Sequence, residues 1–368
     1  MDSDAAAVLF EPAGEAQASA FISQALAAEP PEVVRRVADR FSPPARPNLK
    51  RRLRQLAHLL VTRLPWRMQD RIYFLVFFGR LPNLRAPTDF NEKVLYRKSV
   101  YGDHETYRRL SDKFAVRDYI AAKVGRQYLI PLLYDTVDPE TLLGLPQWRR
   151  TVIKSNHGSG MVEVLLDEPD EQRRQALLRS CAQWLKTDFS QFVREIHYRG
   201  IPPRILVEQY IGNGSQAPVD YKFHMFRQLD GSFQYVLQVI YSRLQPPLAM
   251  TFFVNNLHLP FHGIRDAGLA PPCAPTLLAQ ALELSQVLAA DFDYVRVDWY
   301  VHEDRVYFGE LTFTPGAGLV TGLDNGLDRL MGQMWIQHRA PSRRPRPRFI
   351  AGLRPDRQVH HGRPTTLH

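Results

Sequence analysis

The chain has 368 residues, 45% hydrophobic and 23% charged, which suits two or three packed globular units rather than a small stapled scaffold. Its longest apolar run, Ile72 to Phe78, is far short of the ~20 residues a membrane-spanning helix needs. Two cysteines, Cys181 and Cys273, can form neither a disulfide framework nor a thiolate zinc site, and Asp2 and Asp4 replace the basic start of a secretory signal, so the expectation is a cytoplasmic protein.

The net charge of +9 is unevenly placed. Residues 1–34 carry −6, residues 35–71 carry +9, residues 339–368 carry +7, and the body between 72 and 338 is left near −1. A neutral body with basic ends argues against a phosphate-binding face for nucleic acid. The tail, with Arg343-Arg344-Pro345-Arg346-Pro347-Arg348, reads as solvated disordered chain or as a patch attracted to anionic lipid or an acidic polymer.

Taken in order, residues 1–50 form a poorly ordered leader and residues 51–110 a helical N-terminal region. In the latter, Leu53, Leu56, Leu59, Leu60 and Leu64 recur at helical spacing between arginines, giving either an interfacial helix or an ordinary packing helix over Leu53–Phe78. A single helix is expected over 105–125, stopped by Gly125, with Leu129-Ile130-Pro131 leading into an extended segment. From there short strands are expected at 151–154, 161–166, 205–210, 221–226, 233–240, 249–254, 294–300 and 306–311, with helices at 170–187 and 276–291. Turns at Leu229-Asp230-Gly231-Ser232 and His302-Glu303-Asp304 favour antiparallel pairing, hence an α+β fold. No solenoid repeat is visible.

Three stretches can carry chemistry. Lys154 ends a strand and is followed by Ser155-Asn156-His157-Gly158-Ser159-Gly160, a Gly/Ser turn whose backbone N–H groups could approach phosphate oxygens; an ordinary hairpin with a surface lysine is the alternative. It is not a Walker A loop. Asp298 and Glu310 lie twelve residues apart around a turn near Asp304, a spacing that places two carboxylates opposite each other on paired strands. Such a pair calls for a cation between them, a hard divalent metal or the neighbouring Arg296. Ile205 to Gly212 is an apolar strand ending in a glycine link, which could offer free backbone groups to an adenine or serve as a domain connector. The histidines form no HxH or HExxH spacing, with His197, His224 and His262 reading as structural or exposed, and no GxSxG elbow or Cys–His pair is present.

Together, these stretches resemble the ATP-grasp superfamily over roughly residues 70–335. Ser111-Asp112-Lys113-Phe114-Ala115-Val116-Arg117 looks like its opening helix, Lys154 to Gly160 its strand and phosphate loop, and Glu208-Gln209-Tyr210-Ile211 its adenine hinge. Arg296-Val297-Asp298 and Glu310-Leu311-Thr312 look like its metal hairpin. Pro87 to Lys93, Asp220-Tyr221-Lys222-Phe223 and Phe308 to Gly316 narrow the resemblance to the TupA-like branch, associated with teichuronopeptide and other cell-surface polysaccharide synthesis.

The resemblance implies an ATP-grasp fold in which two α+β subdomains with mainly antiparallel sheets clamp a nucleotide, over residues 111–335, between the leader and a disordered tail at 339–368. It implies ATP held by Lys113 and Lys154, with His157, Gly158, Ser159 and Gly160 over the phosphates and Glu208, Gln209, Tyr210 and Ile211 at the adenine. It implies Mg²⁺ on Asp298, Glu310 and Thr312, and Arg296 and Lys222 as catalytic cations on an acyl phosphate. Thr312 stands where many members place Asn, a weaker ligand that leaves the number of metals open. The implied activity is carboxylate–amine ligation on a carboxylate-bearing small molecule or saccharide, without nucleic acid, with peripheral contact to the inner membrane face or synthesis machinery as a further implication. A glycosyltransferase or sugar kinase of polysaccharide synthesis is the alternative. Loops 241–247 and 258–265, with Arg243 and Arg265, are the expected specificity elements.

Overall fold

The computed structural model describes residues 60–338 apart from 213–217, 242–248, 262–268 and 324. Two antiparallel sheets organise it, and the alternation of their side chains decides what each face does. The leader, the tail, the start of the Leu53–Phe78 helix, His262, Arg243 and Arg265 lie outside the described residues.

The smaller sheet takes strands β1 (Leu132–Thr136), β2 (Thr151–Ser155), β3 (Val162–Leu165) and β4 (Ile205–Gln209) in the order β1-β4-β2-β3. Ile153, Ile205 and Val207 point to one face, where Leu177, Leu178 and Cys181 of helix α5 (Glu171–Leu185) and Trp148 close a core. Period-two alternation therefore sends Lys154 and Glu208 to the opposite face.

The larger sheet runs β10-β9-β5-β6-β7-β8, built from β5 (Asp220–Arg227), β6 (Phe233–Ile240), β7 (Met250–Val254), β8 (Pro260–Phe261), β9 (Tyr294–His302) and β10 (Arg305–Thr312). One face carries Tyr221, Phe223, Met225, Val297, Trp299 and Phe308 and is covered by helix α7 (Pro275–Ala289) and helix α4 (Val116–Lys123). Trp299 is fully buried there and donates its indole N–H to Ser285 Oγ at 2.8 Å; truncation to Ala would cost about 3–5 kcal/mol. The other face is apolar at one end, where Phe226, Val236 and Tyr294 meet Phe90 of helix α2 (Phe90–Ser99) and Trp335. The polar part of that face is formed by Asp220, Lys222 and His224 of β5, Arg296 and Asp298 of β9, and Glu310 and Thr312 of β10.

The expected α+β architecture with mainly antiparallel sheets holds, and β6 has the expected limits of 233 and 240. Two helices differ. The single helix over 105–125 is two, α3 (His104–Ser111) and α4, because Asp112 leaves helical dihedrals and its carboxylate accepts from Phe114 N at 2.8 Å. The expected Leu53–Phe78 helix is interrupted: the described residues 60–62 are helical, the run breaks at 63–65, and helix α1 (Trp66–Phe78) starts directly after Pro65, whose ring and missing N–H do not fit a helix interior.

The Pro87–Lys93 stretch proves to be a fastening. Asn91 Nδ2 donates to Asp328 Oδ1 (3.1 Å) and Val320 O (3.2 Å), and Lys93 Nζ donates to Gly332 O and Trp335 O, both at 2.6 Å. These bonds tie α2 to helix α8 (Asn325–Met334). The approach is so close that a Cβ on Gly332 would stand 2.1 Å from Thr88 O.

Candidate active site

The break between α3 and α4 presents Lys113. Its backbone N–H donates to Asn156 O (3.0 Å) and its ammonium to Gly158 O, so the lysine is fixed to the loop between β2 and β3. Asn156 organises that loop: Nδ2 donates to Asp112 Oδ1 (2.8 Å) and Pro202 O (3.0 Å), while Oδ1 accepts from Arg204 N (2.7 Å). Gly158 is buried, and a Cβ there would come within 2.3 Å of Met161 Cε and 2.9 Å of Phe189 Cγ at the start of helix α6 (Phe189–Val193). Gly160 takes φ +76° and Ser159 is exposed at the tip. His157 is turned inward, its ring nitrogens 3.1 Å from Asn156 Oδ1 and 3.2 Å from Thr187 O; burial lowers its pKa. As placed, it anchors the loop.

On the site face of the small sheet, Lys154 Nζ pairs with Glu208 Oε2 at 2.5 Å and Arg117 Nη1 with Glu208 Oε1 at 3.2 Å. Gln209 N–H donates to Pro131 O and Tyr210 N–H to Arg150 O, so the ladder closes at Tyr210, and Ile211 begins the segment that leaves the sheet. Tyr210 and Ile211 are buried while Gln209 is exposed. A cavity of about 350 Å³ lined by Phe114, Arg117, Leu129, Pro131 and Leu132 adjoins the Arg117–Glu208 pair; none of the carboxylates of the large sheet lines it.

The third group crosses three neighbouring strands. Lys222 of β5 is registered with Asp298 of β9, and Asp298 with Glu310 of β10; in the next row His224 faces Arg296, which faces Thr312. Arg296 binds Asp298 through Nε–Oδ1 (2.6 Å) and Nη2–Oδ2 (2.7 Å), and the same Nη2 reaches Glu310 Oε1 at 2.7 Å. Lys222 Nζ donates to Asp298 Oδ2, and Thr312 Oγ donates to Glu310 Oε1 at 3.1 Å. Burial opposes charge on Asp298, yet Arg296 and Lys222 hold its pKa down at about 2. Burial likewise opposes charge on Arg296, and Asp298 and Glu310 outweigh it, raising the guanidinium's pKa.

Opposition of Asp298 and Glu310 has a different local cause from the expected turn at Asp304. The turn is the two-residue Glu303-Asp304, with φ of +48° and +56°, and pairing runs Arg305↔His302 to Phe308↔Trp299. Continued without interruption, that register would set Gly309 against Asp298. A β-bulge between Phe308 and Glu310 shifts it by one residue and brings Glu310 onto the polar face.

Electrostatics link the three groups. Burial lowers the pKa of Lys113 on the loop, while Glu310 of the large sheet and Glu208 of the small sheet act to raise it, against Lys154. Tyr198, its pKa raised first by burial, also senses Glu195, Glu310 and Arg296. Arg117, Asn156, Asp112 and Tyr198 were not singled out by sequence reasoning. No local signal marks them, because apolar residues keep helical spacing through Asp112-Lys113.

Among the described residues no three His, Cys, Asp or Glu side chains gather as a self-sufficient metal site. The Asp298 and Glu310 carboxylates and the Thr312 hydroxyl nevertheless form a hard oxygen set around one point, now bridged by Arg296. Two carboxylates with no third protein anion suit Mg²⁺, which keeps waters and completes its shell with substrate phosphates.

Residues 92–336 match the family model described as TupA-like ATPgrasp. A comparison with curated proteins returns no match. Among solved structures, the chain is similar to a D-alanine–D-alanine ligase from Helicobacter pylori, 18% identical over 61% of each chain with a TM-score of 0.39. It is also similar to a D-alanine–D-alanine ligase from Bacillus anthracis complexed with ATP, 16% identical over 56% of each chain with a TM-score of 0.32. A third is N5-carboxyaminoimidazole ribonucleotide synthetase from Thermus thermophilus, 12% identical, covering 55% of this chain and 45% of that one, with a TM-score of 0.30. The chain spans about 61% of the length of the first of these.

Proposed function

The chain belongs to the TupA-like ATP-grasp family, and on that premise we propose that it is an ATP- and Mg²⁺-dependent ligase joining a carboxylate to an amine. The observation that carries the reading is Lys113 fastened to the Gly158 loop and the Lys154–Glu208 pair on the small sheet, together with the Asp298 and Glu310 carboxylates joined by Arg296 on the polar face of the large sheet. No nucleophile motif is present, and none is needed: a ligase of this kind works by positioning and charge neutralisation.

In this reading Lys113, Lys154 and the loop through Gly158, Ser159 and Gly160 cradle the triphosphate, with His157 fastening the loop from beneath. Glu208, steadied by Arg117, and the chain from Gln209 to Ile211 receive the adenine. Asp298, Glu310 and Thr312 would hold Mg²⁺, which supplies a positive charge to the transferring phosphoryl group. An oxygen of the substrate carboxylate forms a bond to the γ-phosphorus as the bond to the β,γ-bridging oxygen breaks, giving an acyl phosphate and ADP. The amine then attacks the acyl carbon, phosphate departs with the bonding pair, and the amine's proton passes to solvent. Arg296 and Lys222 stabilise the negative charge that gathers on the acyl phosphate oxygens.

Family resemblance supports a role in cell-surface polysaccharide or teichuronopeptide-type synthesis in the cytoplasm, at its inner membrane face, with a uronic acid or glutamate as acyl donor and an amino acid or amino sugar as amine. The test follows ADP and inorganic phosphate together in the presence of ATP, Mg²⁺ and those acids and amines. Equal, amine-dependent release of both supports the ligase. ADP without phosphate would make the chain a kinase, and turnover of a nucleotide sugar without ADP would make it a glycosyltransferase.

A further inference from the structure

Helix α1 has two faces of opposite character. Gln69, Asp70, Tyr73 and Phe74 point inward and are buried. The outward face carries Met68 (49% exposed) and Leu75 (44% exposed), with half-buried Ile72 between them in helical position. Leu60 and Leu81, 66% and 63% exposed, lie before and after the helix. Scattered single exposed hydrophobics need no explanation, but a helix face of them does.

Charge identifies the occupant. Arg63, Arg67 and Arg71 are exposed in and before the helix, and Asp70, the one acid between residues 60 and 88, is buried beneath Lys98 and Arg194. The outward side therefore has positive charge and apolar surface with no negative charge of its own. It continues the most basic part of the chain, eleven Lys and Arg within residues 35–71. A second copy of this face would be repelled; an acidic lipid surface satisfies both features at once.

We propose that Met68, Ile72 and Leu75, flanked by Arg63, Arg67 and Arg71, dock the protein on an anionic membrane surface, with α1 lying in the plane of the interface. No helix is long and apolar enough to cross the bilayer among the described residues, so the attachment is peripheral. The inward face joins this docking helix to the catalytic hairpin: Asp70 accepts from Lys98 Nζ (2.9 Å), which also donates to Ala317 O (3.3 Å) in the turn after β10. The ligase would thereby meet substrates held at the lipid surface. The docking itself rests on α1 alone and stands or falls independently of the ligase chemistry.

The test is sedimentation of the full chain with vesicles of phosphatidylcholine and with vesicles of phosphatidylcholine mixed with phosphatidylglycerol. Binding is expected only to the mixed vesicles and weakens with added salt. The basic segments outside α1 could attract anionic lipid unaided, so the deciding variant keeps every charge: Met68→Ser with Leu75→Ser should bind at least about tenfold more weakly. Both side chains are exposed, so the variant should keep its circular dichroism and its thermal shift with ATP, which separates lost docking from lost folding. Equal binding by the variant, absence of binding by the parent, or binding irrespective of lipid charge would overturn the proposal. So would self-association by the parent that the variant abolishes without any lipid binding.

Discussion

Asp298 and Glu310 face each other across a bulge at Gly309, and one nitrogen of Arg296 holds an oxygen of each. The two carboxylates are not equivalent. Asp298 is buried and bound by two cations; the Glu310 side chain is 38% exposed and, among the described residues, shares the Arg296 contact and the Thr312 hydroxyl.

This asymmetry predicts unequal consequences in the ligand-free protein. Asp298→Ala removes the buried carboxylate that both Lys222 and Arg296 bind, leaving Lys222 with Asp220 at 3.6 Å and Arg296 with the partly exposed Glu310, and should cost about 3 kcal/mol in urea unfolding. Glu310→Ala should cost no more than about 1 kcal/mol, since an exposed partner contributes little. The acid side follows the same logic: with its folded pKa depressed to about 2, Asp298 stabilises the protein above the unfolded carboxylate range, and that contribution disappears as pH falls from about 4 towards 2. Equal losses for the two variants would contradict the pairing.

With nucleotide the order reverses in kind. Mg²⁺ and ATP together should raise the melting temperature of the parent, by a free energy of about 2.7 kcal/mol at a hundredfold excess over Kd. Glu310→Ala, nearly neutral without ligand, should abolish the Mg²⁺-dependent part of that rise. A shift of unchanged size in the variant would remove Glu310 from the metal site.

Legibility in the sequence tracked distance along the chain. The β9–β10 hairpin is local, so the facing of Asp298 and Glu310 could be expected from their spacing even though the bulge that sets it was unseen. The bond between Lys222 and Asp298 could not be, because β5 and β9 are separated by three strands and a helix, and only tertiary packing makes them neighbours. Strand β6 was legible to its ends because alternation and the Asp230-Gly231 turn agree. The break in the 105–125 helix was hidden because apolar residues keep helical spacing through it. Beside the local bond from Phe114 N to Asp112, the break is held by Asn156, far along the chain, drawing on Asp112 and Lys113.

That break yields a prediction of its own. Asp112→Ala removes the acceptor for both Phe114 N and Asn156 Nδ2, allowing α3 to run on into α4 and withdrawing Lys113 from Gly158. Two lost hydrogen bonds should lower stability by about 1–3 kcal/mol. ATP affinity should fall at least about tenfold, a 1.4 kcal/mol effect, by calorimetric titration. Weakened folding with unchanged ATP affinity would show that the break serves packing and not the site.

The buried carboxyl of Glu195 predicts a pH dependence of opposite sign to that of Asp298. Burial raises its pKa to about 7, against the lowering influence of Lys98 and the hydrogen bond that the Thr314 hydroxyl donates to Oε1. Folded Glu195 thus holds its proton at a pH where the unfolded chain has lost it. Its contribution is fully present below the unfolded value near 4.3 and is lost as pH rises towards 7. Glu195→Gln keeps a hydrogen-bonding oxygen for Thr314 and cannot ionise, so it should remove this slope. The variant should gain on the parent by an amount on the order of 2 kcal/mol between pH 4.5 and pH 8. Urea unfolding of both proteins at those two pH values measures it, and parallel stability profiles would show that Glu195 is already ionised in the folded protein, held by Lys98 and Arg194.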